Sequence, residues 1–245
     1  MISGMGYLLD QKGIINRYLR EEGGWDTHLN HCREYILRAI RRHNPSVVTI
    51  LGSGWLLDVP LEEMTDHVEL INLVDIYHPS QVRNRVKRLN GVNLIEEDLT
   101  GGVIDNIWRK VKAGLNDSDK IDMTKYKPLY EPGLVVSLNL LTQTDTLIVD
   151  YITKKTDLSH DHIRVLRRGI QSAHIDYLES VNSVLITDHL EEIYTDGVLT
   201  ETNNLLFTDL PQGNQREDWI WDFDTSGLYY RCKKVIFKVA AIDLE

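Results

Sequence analysis

The chain alternates between short apolar runs and longer stretches in which apolar residues recur at helical spacing. Five apolar, β-branched runs predict strands, at residues 47–51, 68–74, 92–95, 134–138 and 183–187. Helical patterns lie between them, at residues 61–66, 80–89 and 104–115 and in a mixed helical region over residues 140–181. Apolar strands that alternate with helices are typical of a parallel sheet covered on both faces, so the pattern predicts a doubly wound α/β fold.

The two ends of the chain follow other patterns. Residues 11–43 have helical spacing, with a break at Gly23 and Gly24. Residues 219–224 alternate apolar and polar, and a turn signal separates them from a β-branched run at 234–242, which predicts a terminal antiparallel pair. We therefore divide the chain into an N-terminal helical segment, residues 1–44, with a lid as one role for it, and a Rossmann-like domain, residues 45–245.

A glycine turn and an acid close the first two predicted strands. Gly52 and Gly54 follow the first strand, where glycine lets the backbone approach a ligand or take a positive φ. Asp75 closes the second strand and can accept both hydroxyl hydrogens of a ribose. This pair predicts a nucleoside-containing cofactor. Leu57 stands where a dinucleotide-binding turn has its third glycine, which disfavours a nicotinamide dehydrogenase.

Length and composition fit one large α/β domain, since 42% of the 245 residues are hydrophobic. No apolar run approaches the roughly 20 residues that cross a bilayer, so we expect no membrane partner. The N-terminus lacks the features of a secretion signal. The two cysteines, Cys32 and Cys232, form no disulfide framework or metal spacing, which favours a reducing compartment. We therefore predict a cytoplasmic protein.

Acidic residues are concentrated late in the chain. The formal net charge is −10, and residues 188–224 hold ten acids against one base, Arg216. Such a segment repels phosphate backbones, so we expect no extended nucleic-acid partner. Two interpretations stay open: solvated loops and helix faces, or an acidic rim that attracts a cationic or amine-bearing substrate.

Histidines are the candidate general bases, and five of them stand out: His28, His160, His162, His174 and His189. His160 and His162 invite a metal interpretation. A His-x-His on a helix directs its two rings to different faces, however, and a catalytic zinc needs three protein ligands. We therefore predict no metal site. The chain also has no nucleophile elbow and no phosphate loop.

The order of elements and the residues at the strand ends resemble the class I S-adenosylmethionine-dependent methyltransferases, from about Pro45 to the C-terminus. The first motif of that family is a strand followed by Gly-x-Gly-x-Gly. Here the sequence is VVTILGSGWL, with Leu56 in place of the third glycine. The resemblance implies a mostly parallel seven-stranded sheet with a C-terminal antiparallel hairpin, preceded in this chain by N-terminal helices.

The resemblance also implies a set of site residues. Four parts of the chain would bind the cofactor. They are the glycine turn, a ribose-binding acid with the following residue against the adenine, a segment near the adenine amino group, and the end of strand four. Their residues are Gly52, Ser53, Gly54, Trp55, Asp75, Ile76, Asp98, Leu99 and Ser137. Ser137 and Asn139 would lie between cofactor and substrate. With His28 they are the catalytic candidates.

The implied function is an S-adenosylmethionine-dependent methyltransferase that acts on a small molecule or a protein side chain. Such a reaction needs mainly orientation of the acceptor, and a base only if the acceptor must lose a proton. The alternative is a catalytically degenerate Rossmann-like binding or interaction module. Leu56 favours the alternative, whereas Asp75 favours the enzyme.

Overall fold

The computed structural model of the chain describes residues 2–245. Its helices are α1 (Tyr7–Arg20), α2 (Asp26–His43), α3 (Leu61–Thr65), α4 (Ser80–Val86), α5 (Val103–Ala113), α6 (Thr146–Lys155) and α7 (His160–Leu178). Its strands are β1 (Val47–Leu51), β2 (Leu70–Asp75), β3 (Val92–Glu96), β4 (Leu134–Leu138), β5 (Ser183–Thr195), β6 (Val198–Asn204), β7 (Asn214–Asp224) and β8 (Lys234–Asp243). A short 3-10 turn, Leu141–Gln143, follows β4.

All eight strands form one sheet. Seven lie in the order β3-β2-β1-β4-β5-β8-β7, and β6 pairs with β5 outside that path. The first five strands of that order, β3 to β5, run parallel to one another. β8 runs antiparallel to both β5 and β7. The predicted fold class is confirmed: a mostly parallel seven-stranded path with a C-terminal antiparallel hairpin, as in the class I methyltransferases.

Both faces of the central strands are buried, as their apolar sequences predict. Every residue of β4 is buried, as are the last four of β1. The main core lies between the sheet and α2, whose Cys32, Ile36 and Ala39 have no exposed surface. A second cluster includes Leu178 of α7 and packs on the other face. Burial of each large apolar side chain contributes about 1.5–3 kcal/mol, so α2 is a substantial part of this core.

The structure differs from the expected pattern at one hairpin. β5 continues to Thr195, beyond the predicted end at 187, and turns through Asp196 and Gly197 into β6. Every residue of β6 is exposed. The sequence pattern missed this strand because it has no apolar face to bury; its backbone pairing with β5 holds it.

The topology sets the position of the site. The chain passes from β1 outward to β2 and β3, then returns to β4 on the other side of β1. Ligands of open α/β sheets bind at the carboxyl ends of the strands where the order reverses, here the ends of β1 and β4. Within residues 2–245, no helix has the length and apolarity required to cross a membrane.

Candidate active site

A cavity of about 420 Å³ opens at the carboxyl ends of the parallel strands. The turn after β1 and the ends of β2, β4 and β5 form its floor. α1, α2, the segment that enters α6 and the β7–β8 hairpin contribute further wall, including aromatic side chains of the hairpin. This is the crevice in which a doubly wound sheet binds its ligand.

The glycine turn keeps a conformation that suits glycine. φ is 81° at Gly52 and 44° at Gly54. A Cβ on Gly52 would lie 2.9 Å from the Leu138 carbonyl oxygen, so the turn packs directly against the end of β4. Leu56 also has a positive φ, 58°, while its side chain is buried in the core. The backbone conformation that a third glycine would favour is therefore present without the glycine.

Asp75 lies against the same turn. One carboxylate oxygen accepts the Gly54 N–H at 2.8 Å, and the other accepts the Tyr77 N–H at 3.4 Å. The side chain lines the cavity, although only 7% of the residue is exposed. Burial raises the pKa of Asp75 to about 6, and the backbone hydrogen bonds partly oppose that rise. Asp75 is thus a buried acceptor at the cavity wall, and its charge is stabilised by backbone donors.

The α1 helix covers the turn. The Trp55 indole N–H donates to the Gln11 carbonyl oxygen at 2.8 Å, and Tyr7, Ile14 and Arg17 of the same helix line the cavity. None of the residues of α1 is buried. Its partly buried Tyr7, Ile14 and Tyr18 pack against the core clusters, and the Trp55 hydrogen bond adds a specific polar anchor.

We expect Trp55→Phe to loosen α1, because a net hydrogen bond contributes about 0.5–1.5 kcal/mol. Amide exchange should become faster throughout Tyr7–Arg20 and stay unchanged in β1, as measured by hydrogen exchange with mass spectrometry. Trp108→Phe is the matched control, since Trp108 stacks on Tyr151 outside the cavity. Equal exchange rates in wild type and Trp55→Phe would show that the indole does not anchor the helix.

Asn139 follows β4 and takes a positive φ of 47°. Its amide nitrogen lies 2.9 Å from an Asp58 carboxylate oxygen, 3.3 Å from His28 Nε2 and 3.8 Å from Cys32 Sγ. Its amide oxygen has no hydrogen-bond partner among residues 2–245. Asn139 therefore joins β4 to α2 and to the glycine turn in the wall of the cavity.

His28 is a buried, neutral ring. It stacks on Trp221 with the ring centroids 3.9 Å apart, and the Trp219 indole nitrogen lies 3.1 Å from its Nδ1. Because an indole nitrogen only donates, Nδ1 is the acceptor and Nε2 carries the proton. Burial lowers the pKa of His28 to about 3. The Nε2–H points toward Cys32 Sγ, 3.7 Å away, and packs beside the Asn139 amide without bonding to its NH2. Because the ring has neither a free lone pair nor an accessible cationic form, we assign His28 no role as a base.

Two groups of side chains within residues 2–245 have the composition of a metal site. His28, Cys32 and Asp58 place their ligand atoms within 4.8 Å of one another, but the Nδ1 lone pair of His28 already accepts from Trp219. The other group is His43, Asp243 and Glu245, in which Asp243 forms an ion pair with Arg42. We assign a metal to neither group.

Three of the predicted site residues lie outside the cavity wall. Ser137 has no exposed surface, and its hydroxyl is 2.8 Å from His174 Nε2 on α7. Asp98 accepts the Thr100 N–H at 2.8 Å just before α5. Leu99 packs in the core cluster on the α7 side of the sheet. Hence the cavity brings together Gly52, Ser53, Gly54, Trp55, Asp75, Ile76, Asn139 and His28, without Ser137, Asp98 and Leu99.

Two acids from the late, acidic part of the chain also line the wall and were not predicted as site residues. Asp188 follows the parallel part of β5, and Glu191 lies three residues further along the strand. A break in the β5–β8 register between Asp188 and Leu190 marks an irregularity of the kind that redirects side chains beside active sites. The available signal was position, because Asp188 ends a predicted strand as Asp75 does.

No protein-family model matches the chain, and no curated protein matches it. Among solved structures, the chain is similar to the N-methyltransferase NodS from Bradyrhizobium japonicum WM9 in complex with S-adenosyl-L-homocysteine. That match has 11% identity and a TM-score of 0.35, and covers 88% of this chain and 87% of that chain. A further NodS structure matches at 11% identity and a TM-score of 0.34, over 91% of this chain and 99% of that one.

The strand order, the antiparallel last strand and the crevice define a Rossmann-like fold of the class I methyltransferase type. An identity of 11% leaves the activity of this chain to be argued from its own residues.

Proposed function

We propose that this protein is an S-adenosylmethionine-dependent methyltransferase. The observation that carries the proposal is the buried carboxylate of Asp75, which the Gly54 N–H holds in the cavity wall. A carboxylate after the second strand, beside a glycine turn after the first, suits the two hydroxyls of a ribose.

The residues present fit the rest of such a cofactor. Gly52 keeps the floor free of a side chain where the turn meets β4. Ile76 follows Asp75 in the wall and offers an apolar contact for an adenine ring. A cavity of about 420 Å³ is within the usual size range for cofactor and small-ligand sites. The glycine turn after β1, the acid at the end of β2 and the apolar residue after that acid thus lie together in the cavity wall.

The bound cofactor would supply a methyl group on a sulfonium, whose leaving group departs as a neutral thioether. The chain then has to bind the acceptor, align it and exclude water, and alignment alone can contribute several kcal/mol, up to about 7–11. Asn139 lies in the wall after β4, next to the glycine turn, and its amide N–H donates to Asp58 at 2.9 Å. We assign it the positioning of the acceptor. α1 is the element that closes the cavity against water.

The geometry at Leu56 bears on the alternative, a degenerate module that does not bind the cofactor. Loss of the third glycine would matter most if it changed the path of the turn. Leu56 keeps a φ of 58°, and its N–H donates to the Ser53 carbonyl oxygen at 2.9 Å. The turn therefore keeps a glycine-like path, and this supports the enzyme over the module.

Calorimetric titration tests the proposal directly. We expect S-adenosylmethionine and S-adenosylhomocysteine to bind with one site per chain, and NAD to give no heat of binding. Absence of binding by both sulfur compounds at millimolar concentration would overturn the proposal. Binding of NAD alone would instead establish a dinucleotide-binding protein.

A further inference from the structure

The acids near the end of the chain fall into two groups. Several on the β5–β8 side are paired with cations within 4 Å: Glu192 with Lys238, Glu201 with Lys233, Glu217 with Arg38, Asp218 with Arg216 and Asp222 with Lys234. Asp188 and Glu191 have no such partner among residues 2–245, and both line the cavity. Five of the ten acids of residues 188–224 are thus paired with cations, whereas Asp188 and Glu191 are unpaired acids that face the site.

Asp188 is built into the wall. Only 7% of the residue is exposed, and one carboxylate oxygen accepts the Thr142 hydroxyl at 2.7 Å. The other oxygen accepts no hydrogen bond from residues 2–245, and it is not among the fully enclosed side-chain atoms. It is therefore free to accept from a ligand in the cavity.

Glu191 is a second buried acid in the wall beside Asp188. Only 4% of the residue is exposed, and one oxygen accepts the Asn203 side-chain N–H at 2.9 Å. Glu191 also meets the Tyr230 hydroxyl, and like Asp188 it has no cation within 4 Å among residues 2–245. Two buried carboxylates on one wall without a cationic partner, one of them with a free oxygen, call for a cationic donor, because a buried charge without a partner is costly.

Aromatic side chains adjoin these acids on the neighbouring strands, because Phe237 on β8 is the register partner of Glu191 and Trp221 on β7 is the register partner of Phe237. Trp221, Phe223 and Phe237 line the cavity, and each is about nine-tenths buried. The Arg17 guanidinium lies 4.5 Å from the Phe223 ring centroid, so these rings already face a cation. In total the wall holds five carboxylates and two guanidinium groups, those of Arg17 and Arg167. Arg167 is already paired with Asp145, which lies outside the wall.

These acids are too far from Asp75 to serve a ribose. Asp188 follows β5, and Asp75 ends β2, so β1 and β4 lie between their strands. At about 4.8 Å per strand, the separation is roughly 14 Å. The end of β5 is therefore the acceptor side of the cavity, and Gly52 and Asn139 lie between it and Asp75.

We propose that the methyl acceptor is a protonated amine with an aromatic or other apolar body, its ammonium bound by Asp188 and Glu191 and its body packed on the adjoining Trp221, Phe223 and Phe237. The inference rests on the proposed function and keeps the same cofactor-binding residues. Asp188 is the proton acceptor: the ammonium gives a proton to its free oxygen, and the nitrogen lone pair becomes available. The nitrogen then bonds to the methyl carbon as the carbon–sulfur bond breaks, with the electron pair going to sulfur. The products are a methylammonium, the thioether and the released proton.

The probes are 2-phenylethylamine and its uncharged isostere 2-phenylethanol, titrated into protein saturated with S-adenosylhomocysteine. We expect the amine to bind at least tenfold more tightly than the alcohol. Asp188→Asn and Glu191→Gln should each reduce this preference about tenfold or more, because each removes a charge-assisted hydrogen bond to the ammonium. Glu192→Gln is the matched control, because Glu192 lies outside the cavity wall and is already paired with Lys238. With methyl-labelled S-adenosylmethionine, the label should appear on the amine.

The outcomes separate the two proposals. Tight binding of S-adenosylhomocysteine with equal affinity for amine and alcohol would overturn the amine inference and leave the cofactor proposal standing. An amine preference that survives both substitutions would also overturn it. If Asp188→Asn weakens S-adenosylhomocysteine and not the amine, the acid serves the cofactor and the assignment is wrong. No binding of S-adenosylhomocysteine to the wild type is failure of the proposed function, whatever the amine does.

Discussion

Gly52→Ala is expected to lower the free energy of unfolding by about 2–5 kcal/mol. The residue has a φ of 81°, and the left-handed region costs an L-residue roughly 1–2 kcal/mol. The new Cβ would also lie 2.9 Å from the Leu138 carbonyl oxygen and 3.0 Å from the Leu140 Cβ. Overpacking of this kind costs a further 1–3 kcal/mol or so. Urea unfolding with an unchanged m-value would measure the loss.

Gly197→Ala is a matched control for this prediction. Gly197 has a similar φ of 77°, but nothing lies within 4 Å of the position that its Cβ would take. Gly197→Ala therefore introduces the backbone strain without the steric clash. Its free energy of unfolding should fall by only about 1–2 kcal/mol. S-adenosylhomocysteine affinity should fall in Gly52→Ala and stay unchanged in Gly197→Ala. Equal losses of stability would mean that the glycine turn does not pack tightly against β4.

The central strands could be predicted because residues buried on both faces of a sheet have an almost continuous apolar sequence. β1 and β4 have the predicted bounds, since every residue in a doubly covered strand must be apolar or small. β6 was missed for the converse reason: it is exposed throughout, and backbone pairing leaves no apolar signature. The end of β5 was missed with it, because that half of the strand carries the acids.

Which side chain at a strand end faces the ligand could not be read from the sequence. Ser137 and Asn139 were predicted together, yet Ser137 bonds to His174 on α7 while Asn139 lines the cavity. When both faces of a strand are buried, no polar alternation marks the face that opens to the site. Asp75 was easier to place, because a carboxylate within an apolar strand needs donors, and the glycine turn supplies them.

Asp75→Ala is expected to weaken S-adenosylhomocysteine binding about ten- to a hundredfold, because a charge-assisted hydrogen bond contributes about 1.5–3 kcal/mol. Alanine also removes the acceptor of the Gly54 N–H, so Asp75→Asn is needed beside it. The amide keeps one oxygen for Gly54 and loses the charge that binds the hydroxyls. Glu96→Gln is the matched control: Glu96 is the register partner of Asp75 on β3 and lies outside the cavity wall.

The raised pKa of Asp75 adds a pH dependence that a purely structural role would lack. Because burial raises this pKa to about 6, the free protein begins to bind a proton there as the pH falls toward 6. The carboxylate is the form that accepts the hydroxyls, so binding below this pKa must release one proton. Affinity should be constant above pH 7 and fall toward tenfold per unit below pH 6.

Two variants assign that pH dependence to a residue. The pKa of Asp188 is also raised to about 6 by burial, so the wild-type profile alone does not separate the two acids. S-adenosylhomocysteine should bind Asp188→Asn with the wild-type pH profile, and Asp75→Asn weakly with a flat one. A flat profile in Asp188→Asn instead would place the cofactor against β5. The ribose would then have to be moved from the end of β2, because a proton linked to binding marks the carboxylate that the ligand meets.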